Sequence, residues 1–174
     1  FLVIVTSIKI LCMPAYRSTD FDVHRNWKAL TRHLPLEEWY FSDVNGTTVH
    51  TLDYPPLFAY FESFWSNNII TSYLLGNGVL DERCLALLPD SDNGVDMPCV
   101  VFMRTTVILS DLLLWCGAWV ASTSMTENVS AQSTTFLLIV LNPGLLWLDH
   151  VHFQYNGMLL GILLASLGHL LKPA

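Results

Sequence analysis

Asp20 and Asp22 stand one residue apart and are followed by His24, Arg25, Asn26 and Trp27, in a polar block that opens at Ser18 beside an apolar stretch. A carboxylate in such a block can act as a general base on a hydroxyl. A guanidinium suits a phosphate oxyanion, because its planar fork offers several donors at once. Two carboxylates at Asp-x-Asp spacing could also hold a divalent metal beside a phosphate. The chain has no Gly-rich phosphate loop and no strand–helix alternation to go with it, so neither a metal site nor a cofactor is expected. The plain alternative is that Asp20 and Asp22 only stabilise a helix N-terminus, by about 0.3 to 1 kcal/mol each.

Two more polar clusters adjoin apolar segments. In Thr51-Leu52-Asp53-Tyr54-Pro55-Pro56 the prolines hold the residues before them extended, so Asp53 and Tyr54 form a rigid rim at the start of a helix. Trp39, Tyr40 and Phe41 add aromatics suited to an interface. Asp149-His150-Val151-His152-Phe153-Gln154-Tyr155-Asn156-Gly157 follows Leu141-Asn142-Pro143-Gly144. Polar groups between apolar runs are costly unless they line a cavity. Asp149, His150 and His152 come from one short segment with no distant ligand partner, so cavity lining is expected there rather than a metal.

The elements that must position these residues belong to a membrane. Hydrophobic residues are 52% of the 174 and charged residues 13%, and the mean hydropathy of +0.44 exceeds that of soluble domains this long. Residues 1 to 13 read as the tail of a truncated first span; they lack the basic start and cleavage site of a signal peptide. Further candidate segments are 55 to 75, 98 to 121, 135 to 148 and 156 to 171, the last two short for a crossing of roughly 20 residues. In 98 to 121, ten Leu, Ile, Val and Phe residues contribute about −3 to −6 kcal/mol and two central charges cost about +5 to +7. Arg104 and Asp111 are therefore expected to look into a bundle as a packing contact, Arg104 snorkelling from its end.

Residues 14 to 54, 76 to 97 and 122 to 134 connect these segments. Val23, Trp27, Leu30 and Leu34 predict an amphipathic helix over 20 to 34, capped by Ser18 or Thr19 and ended by Pro35. Its narrow apolar stripe leaves Arg25, Lys28 and Arg32 on a polar face suited to the membrane interface. Sequons at Asn45 and Asn128 would face the same side if 55 to 75 and 98 to 121 both span. The positive-inside rule points the other way for the basic 14 to 54 loop. Cys12, Cys84, Cys99 and Cys116 form no Cys-x-x-Cys pair, and no disulfide is expected.

Taken together, Thr19-Asp20-Phe21-Asp22-Val23-His24-Arg25-Asn26-Trp27, Leu52-Asp53-Tyr54-Pro55-Pro56, Asp149 to Gly157 and Phe102-Met103-Arg104-Thr105-Thr106 resemble the lipid-linked-oligosaccharide glucosyltransferases of the endoplasmic reticulum. His24-Arg25-Asn26-Trp27, with Thr19 before Asp20, is similar to the branch of the second glucosyltransferase; the first has Gln-Arg-His-Trp and Gly. Asp22 stands where related enzymes often have Glu.

The resemblance implies an all-α, polytopic GT-C transmembrane enzyme with its interfacial helix in the first lumenal loop, of which residues 1 to 174 are the N-terminal part, inactive alone. It implies inverting transfer of glucose from dolichyl-phosphate glucose to the monoglucosylated oligosaccharide on dolichyl pyrophosphate, in α-1,3 linkage. Asp20 would be the base, with Asp22, His24, Arg25, Trp27, Asp53, Tyr54, Asp149, His150, His152, Gln154 and Asn156 shaping the substrate site. Membrane lipid is an expected partner; nucleic acid and an obligate protein partner are not. If 55 to 75, 98 to 121 and 135 to 148 all cross, His152 lies opposite Asp20, so either one segment fails to span or that motif is structural. The alternatives are the first glucosyltransferase, a noncatalytic subunit, and a transporter or channel fragment using Arg104, Asp111 and Asp149.

Overall fold

The computed structural model describes residues 2–41, 50–87 and 95–171. Among these every regular element is helical. The chain divides into two compact units, Ser18–Met103 on the one hand and Phe1–Arg17 with Arg104–Ala174 on the other.

In the first unit α2 runs Thr19–His33, preceded by extended Ser18 and ended at extended Leu34, where Pro35 cannot continue it. (α1, Leu2–Leu11, belongs to the second unit.) Its surroundings differ from the amphipathic expectation. Every residue from His24 to Thr31 is buried, Arg25 and Lys28 included, while Val23 of the proposed stripe is only half-buried. The cations point inward because buried acceptors on other elements meet them, which a hydrophobic period cannot reveal.

Residues 55 to 75 are not one segment. Pro56 opens α3, Pro56–Asn67, and the chain breaks at Asn68 before α4, Ile69–Gly76. Asn68 is extended (φ −73°, ψ 165°) and its side chain accepts from the Thr71 N–H at 2.8 Å, capping α4. At about 1.5 Å per residue these helices reach roughly 18 and 12 Å, short of the roughly 30 Å hydrocarbon core. A 3₁₀ turn, Glu82–Leu85, then packs on α2: His33 Nε2 donates to the Leu85 carbonyl at 2.8 Å. Contrary to expectation Cys84 and Cys99 form a disulfide, which ties this turn to the first turn of the next helix. Both thiols are solitary in sequence, and only the return of the chain brings them together.

The second unit holds the long apolar helices. α5 is Met97–Met125, 29 residues, and an apolar helical stretch of 24 residues runs Val129–His152; both are long and apolar enough to cross a membrane. The latter comprises α6, Val129–Val140, the short α7, Pro143–Leu145, and a π-helical turn, Leu146–His152. α8, Asn156–Leu171, packs against α5 through glycine. A Cβ at Gly117 would overlap the Gly161 carbonyl, one at Gly161 the Leu113 carbonyl, and one at Gly168 would stand 2.8 Å from Val120 Cγ1. Small residues here let two helix backbones touch.

The charges on α5 form the packing contacts expected, with one correction. Arg104 does not snorkel; it is 2% exposed. Its guanidinium donates to the carbonyls of His150 (2.9 Å), Val151 (2.9 Å) and Tyr16 (3.0 Å) and lies over the Phe153 ring. Two of those carbonyls end the π-helical turn, where backbone acceptors lack helical partners and a cation is favoured. Asp111 takes Lys9 of α1 at 2.7 Å and His150 Nε2 at 3.1 Å on one carboxylate oxygen.

Candidate functional site

Asp20 sits half-buried in the first turn of α2, and Asp22 likewise. The rest of the block turns inward and ties down the second polar cluster. Asn26 Nδ2 donates to the His50 carbonyl at 2.9 Å, and Trp27 Nε1 to the Thr51 carbonyl at 3.0 Å. These bonds hold the backbone that leads into Asp53 and Tyr54, both exposed, against α2. Burial raises the Tyr54 phenol above its ordinary value, and the nearby Asp20 and Asp53 carboxylates add to this. Tyr40 Oη fixes the rim from outside by donating to the Tyr54 carbonyl at 2.8 Å.

Aromatic rings floor this face. Trp27 and Tyr54 lie 4.9 Å apart, Tyr54 and Phe58 4.9 Å, and His24 and Trp27 5.0 Å, all at tilted or edge angles. Tyr54 presents the open ring, at 38% exposure. Such a surface suits the C–H face of a sugar, with carboxylates beside it to take its hydroxyls.

Arg25 is buried, and one of its donors reaches the Cys84 carbonyl at 3.4 Å. Its Nε–H is buried with no hydrogen-bond partner among the described residues. Desolvation lowers its pKa from the ordinary guanidinium value, and Asp22 opposes that shift. A buried guanidinium with donor capacity to spare is a fit donor to anionic oxygen.

Sequence reasoning missed Glu62 of this unit and put Lys28 on an exposed polar face. Glu62 and Lys28 are each fully buried, and Glu62 receives both Lys28 and His24. The available signal was that Glu62 is the only charged residue between Asp53 and Asp81, and a lone carboxylate in an apolar run needs a partner.

The Asp149 to Asn156 cluster lies in the other unit and is largely occupied with itself. Asp149 accepts from the Asn156 N–H at 3.0 Å, the Gly157 N–H at 2.6 Å and Asn156 Nδ2 at 3.2 Å, capping α8 from outside. Asn156 also donates to Gln154 Oε1 at 2.6 Å. His150 is held by Asp111, and Phe153 takes a left-handed conformation at φ 88° that turns the chain sharply. His152 and Gln154 stay half-buried at the turn. Among the described residues no three metal-ligating side chains converge. Arg104, Asp111 and Asp149, which a transport route would need open, are closed on carbonyls, Lys9 and a helix N-terminus respectively. The sequon at Asn45 lies outside the described residues; Asn128 is exposed and caps α6 by accepting from the Ser130 and Ala131 N–H groups.

Residues 5–173 match the profile of the ALG6, ALG8 glycosyltransferase family. The chain is similar to proteins named dolichyl pyrophosphate Glc1Man9GlcNAc2 alpha-1,3-glucosyltransferase. That of Kluyveromyces lactis is 46% identical over 96% of this chain and 28% of its own length. The Arabidopsis thaliana protein is 41% identical over 98% of this chain and 31% of its own. A Drosophila melanogaster protein whose name adds "probable" is 43% identical over 97% and 31%. The chain thus spans less than a third of the length of these relatives.

Proposed function

Because this chain belongs to the ALG6, ALG8 glycosyltransferase family, we propose that the whole protein adds glucose in α-1,3 linkage to a monoglucosylated, dolichyl-pyrophosphate-linked oligosaccharide. The relatives' names support that acceptor over the unglucosylated one. The donor in this reading is dolichyl-phosphate glucose, and the setting is the endoplasmic reticulum membrane. The observation that carries it is that Asn26 and Trp27 of the Asp20 helix tie down the Asp53–Tyr54 rim, bringing the Tyr54 ring within the influence of the Asp20 carboxylate.

A β-linked donor giving an α product requires inversion. Asp20 then takes the proton from the acceptor hydroxyl as that oxygen attacks the glucose C1, while lipid phosphate leaves from the opposite face. Arg25 offers its spare donor to the phosphate charge, with Asp22 as its counter-charge. Tyr54 supports sugar with Trp27 packed behind it, and Asp53 takes a sugar hydroxyl.

The GT-C architecture fits a revised count of membrane crossings. With α3 and α4 too short to cross, residues 18 to 96 form a single lumenal loop, and a disulfide from it to the first turn of α5 suits that oxidising compartment. α5 then leaves the lumen and Val129–His152 returns to it, so the turn carrying His152 and Gln154 comes back to the side of Asp20. Asp149, His150 and Asn156 build the turn that carries those two. Lys28 is paired with Glu62 and Arg25 is buried inside the loop, which weakens the positive-inside argument against a lumenal placement.

Complementation of cells lacking the second glucosyltransferase tests the assignment. The full-length gene should clear the monoglucosylated intermediate, and Asp20→Asn should leave it accumulating. A wild-type gene that fails to clear it removes the assignment; an active Asp20→Asn removes the base and leaves a noncatalytic role.

A further inference from the structure

Glu62 is buried in α3 with its two oxygens divided between residues one turn apart on α2. Oε1 meets His24 Nδ1 at 2.7 Å and Oε2 meets Lys28 Nζ. Both partners are themselves buried, so one carboxylate grips one face of the helix that begins at Thr19. An ionised carboxylate only accepts, so Nδ1 carries the hydrogen of the His24 bond, which sets the ring's tautomer and plane. Trp27 and Phe58 pack on that ring at centroid distances of 5.0 and 5.5 Å. His24 in turn lies one helical turn after Asp20, on the same side of α2.

A buried ion pair is a weak source of stability, since desolvation of the charges offsets most of their attraction, and an apolar pair of similar volume would hold α2 on α3 as well. An apolar pair could not accept the hydrogen of His24. The arrangement therefore has a purpose beyond adhesion, and it lies beside the proposed base.

We propose that Glu62 is a positioning residue for glucosyl transfer: by accepting the hydrogen of His24 Nδ1 it sets the plane of the His24 ring, and so the direction of the Asp20 carboxylate, while Lys28 serves as the counter-charge that keeps the buried carboxylate in place. The proposal rests on Asp20 being the base.

Glu62→Gln alone would strand the Lys28 charge, so the test couples each change with Lys28→Met in the purified full-length protein. Lys28→Met/Glu62→Gln keeps an acceptor for His24, whereas Lys28→Met/Glu62→Leu does not. With dolichyl-phosphate glucose and the monoglucosylated lipid-linked acceptor, the Gln pair should keep kcat within about threefold of wild type. The Leu pair should lose thirtyfold or more, about 2 kcal/mol of barrier, with KM for the acceptor little changed and a matched thermal midpoint. Equal kcat in the two pairs overturns the proposal. Where the Leu pair does not fold, Glu62→Asp, which keeps the charge for Lys28 and draws the acceptor back by one methylene, should show the same selective loss of kcat; full activity there overturns it. Histidine ¹⁵N spectra read the tether without the reaction, the His24 signal being assigned by its loss in His24→Gln. Nδ1 protonation is expected in wild type and in the Gln pair. Its absence from wild type overturns the proposal even where transfer is normal; no transfer by wild type, with the Nδ1 signal intact, overturns the glucosyltransferase assignment instead, and an active Asp20→Asn overturns the reading of Asp20 as base.

Discussion

Lys9 and Asp111 give up hydration to meet at 2.7 Å, at 4% and 5% side-chain exposure, within apolar helices. Each is tolerable only because of the other. Removing one partner leaves a buried unpaired charge, which typically costs about 3 to 5 kcal/mol, whereas replacing both with apolar side chains is close to neutral. Asp111→Leu should therefore lower the thermal midpoint of the full-length protein in detergent strongly, and Lys9→Met/Asp111→Leu should restore most of it. His150 also leans on Asp111, so the double variant should fall somewhat short of wild type. A single Asp111→Leu as stable as wild type would show that the pair is not a packing contact. The sequence showed Arg104 and Asp111 as charges needing partners, but not which partners. Lys9 lies about a hundred positions from Asp111, and the acceptors of Arg104 are backbone carbonyls, which no side-chain pattern displays.

At the scale of elements the limits of legibility follow the same division between local and long-range physics. α2 was readable to within a residue, because Ser18, Pro35 and a regular apolar spacing are local signals. Its burial was not, because Glu62 and the Glu82–Leu85 turn that cover it come from later in the chain. The break at Asn68 is a local signal in principle: Asn67-Asn68 interrupts the apolar run and Asn caps helices well, yet a hydropathy window averages across it. The rim of Asp53 and Tyr54 was legible as a rigid element and not as a neighbour of Asp20, since that depends on Asn26 and Trp27 reaching the His50 and Thr51 carbonyls. The seam between α5 and α8 depends likewise on Gly117 and Gly161 meeting across the fold. Gly161→Val puts side-chain atoms into the Leu113 backbone and should destabilise the protein by about 1 to 3 kcal/mol or more. Gly76→Ala, with nothing within 4 Å, should change the same thermal midpoint by no more than about 0.5 kcal/mol equivalent. If both variants behave alike, close backbone approach does not hold α5 and α8 together.

For the whole molecule, the break in residues 55 to 75 changes every later assignment of membrane side. Counting that stretch as a crossing put Asn45 and Asn128 on one side and His152 on the other. Counting it as part of a lumenal loop, which the disulfide and the buried cations of α2 support, puts Asn128 in the cytosol between α5 and α6 and returns His152 to the lumen. The two counts differ in a way glycosylation can read, because the oligosaccharide is added only in the lumen. A sequon engineered between residues 76 and 87 of the full-length protein should be modified, and the native Asn128 site should not. Asn128 is exposed, so its lack of glycan would not reflect burial. Its helix-capping role leaves a steric objection, which a second sequon in an inserted flexible loop at the same place removes. Modification at that loop and none at 76 to 87 would restore α3 and α4 as a crossing and separate His152 from Asp20. The expected pattern, modified before α5 and unmodified after it, would support the count in which α3 and α4 do not cross.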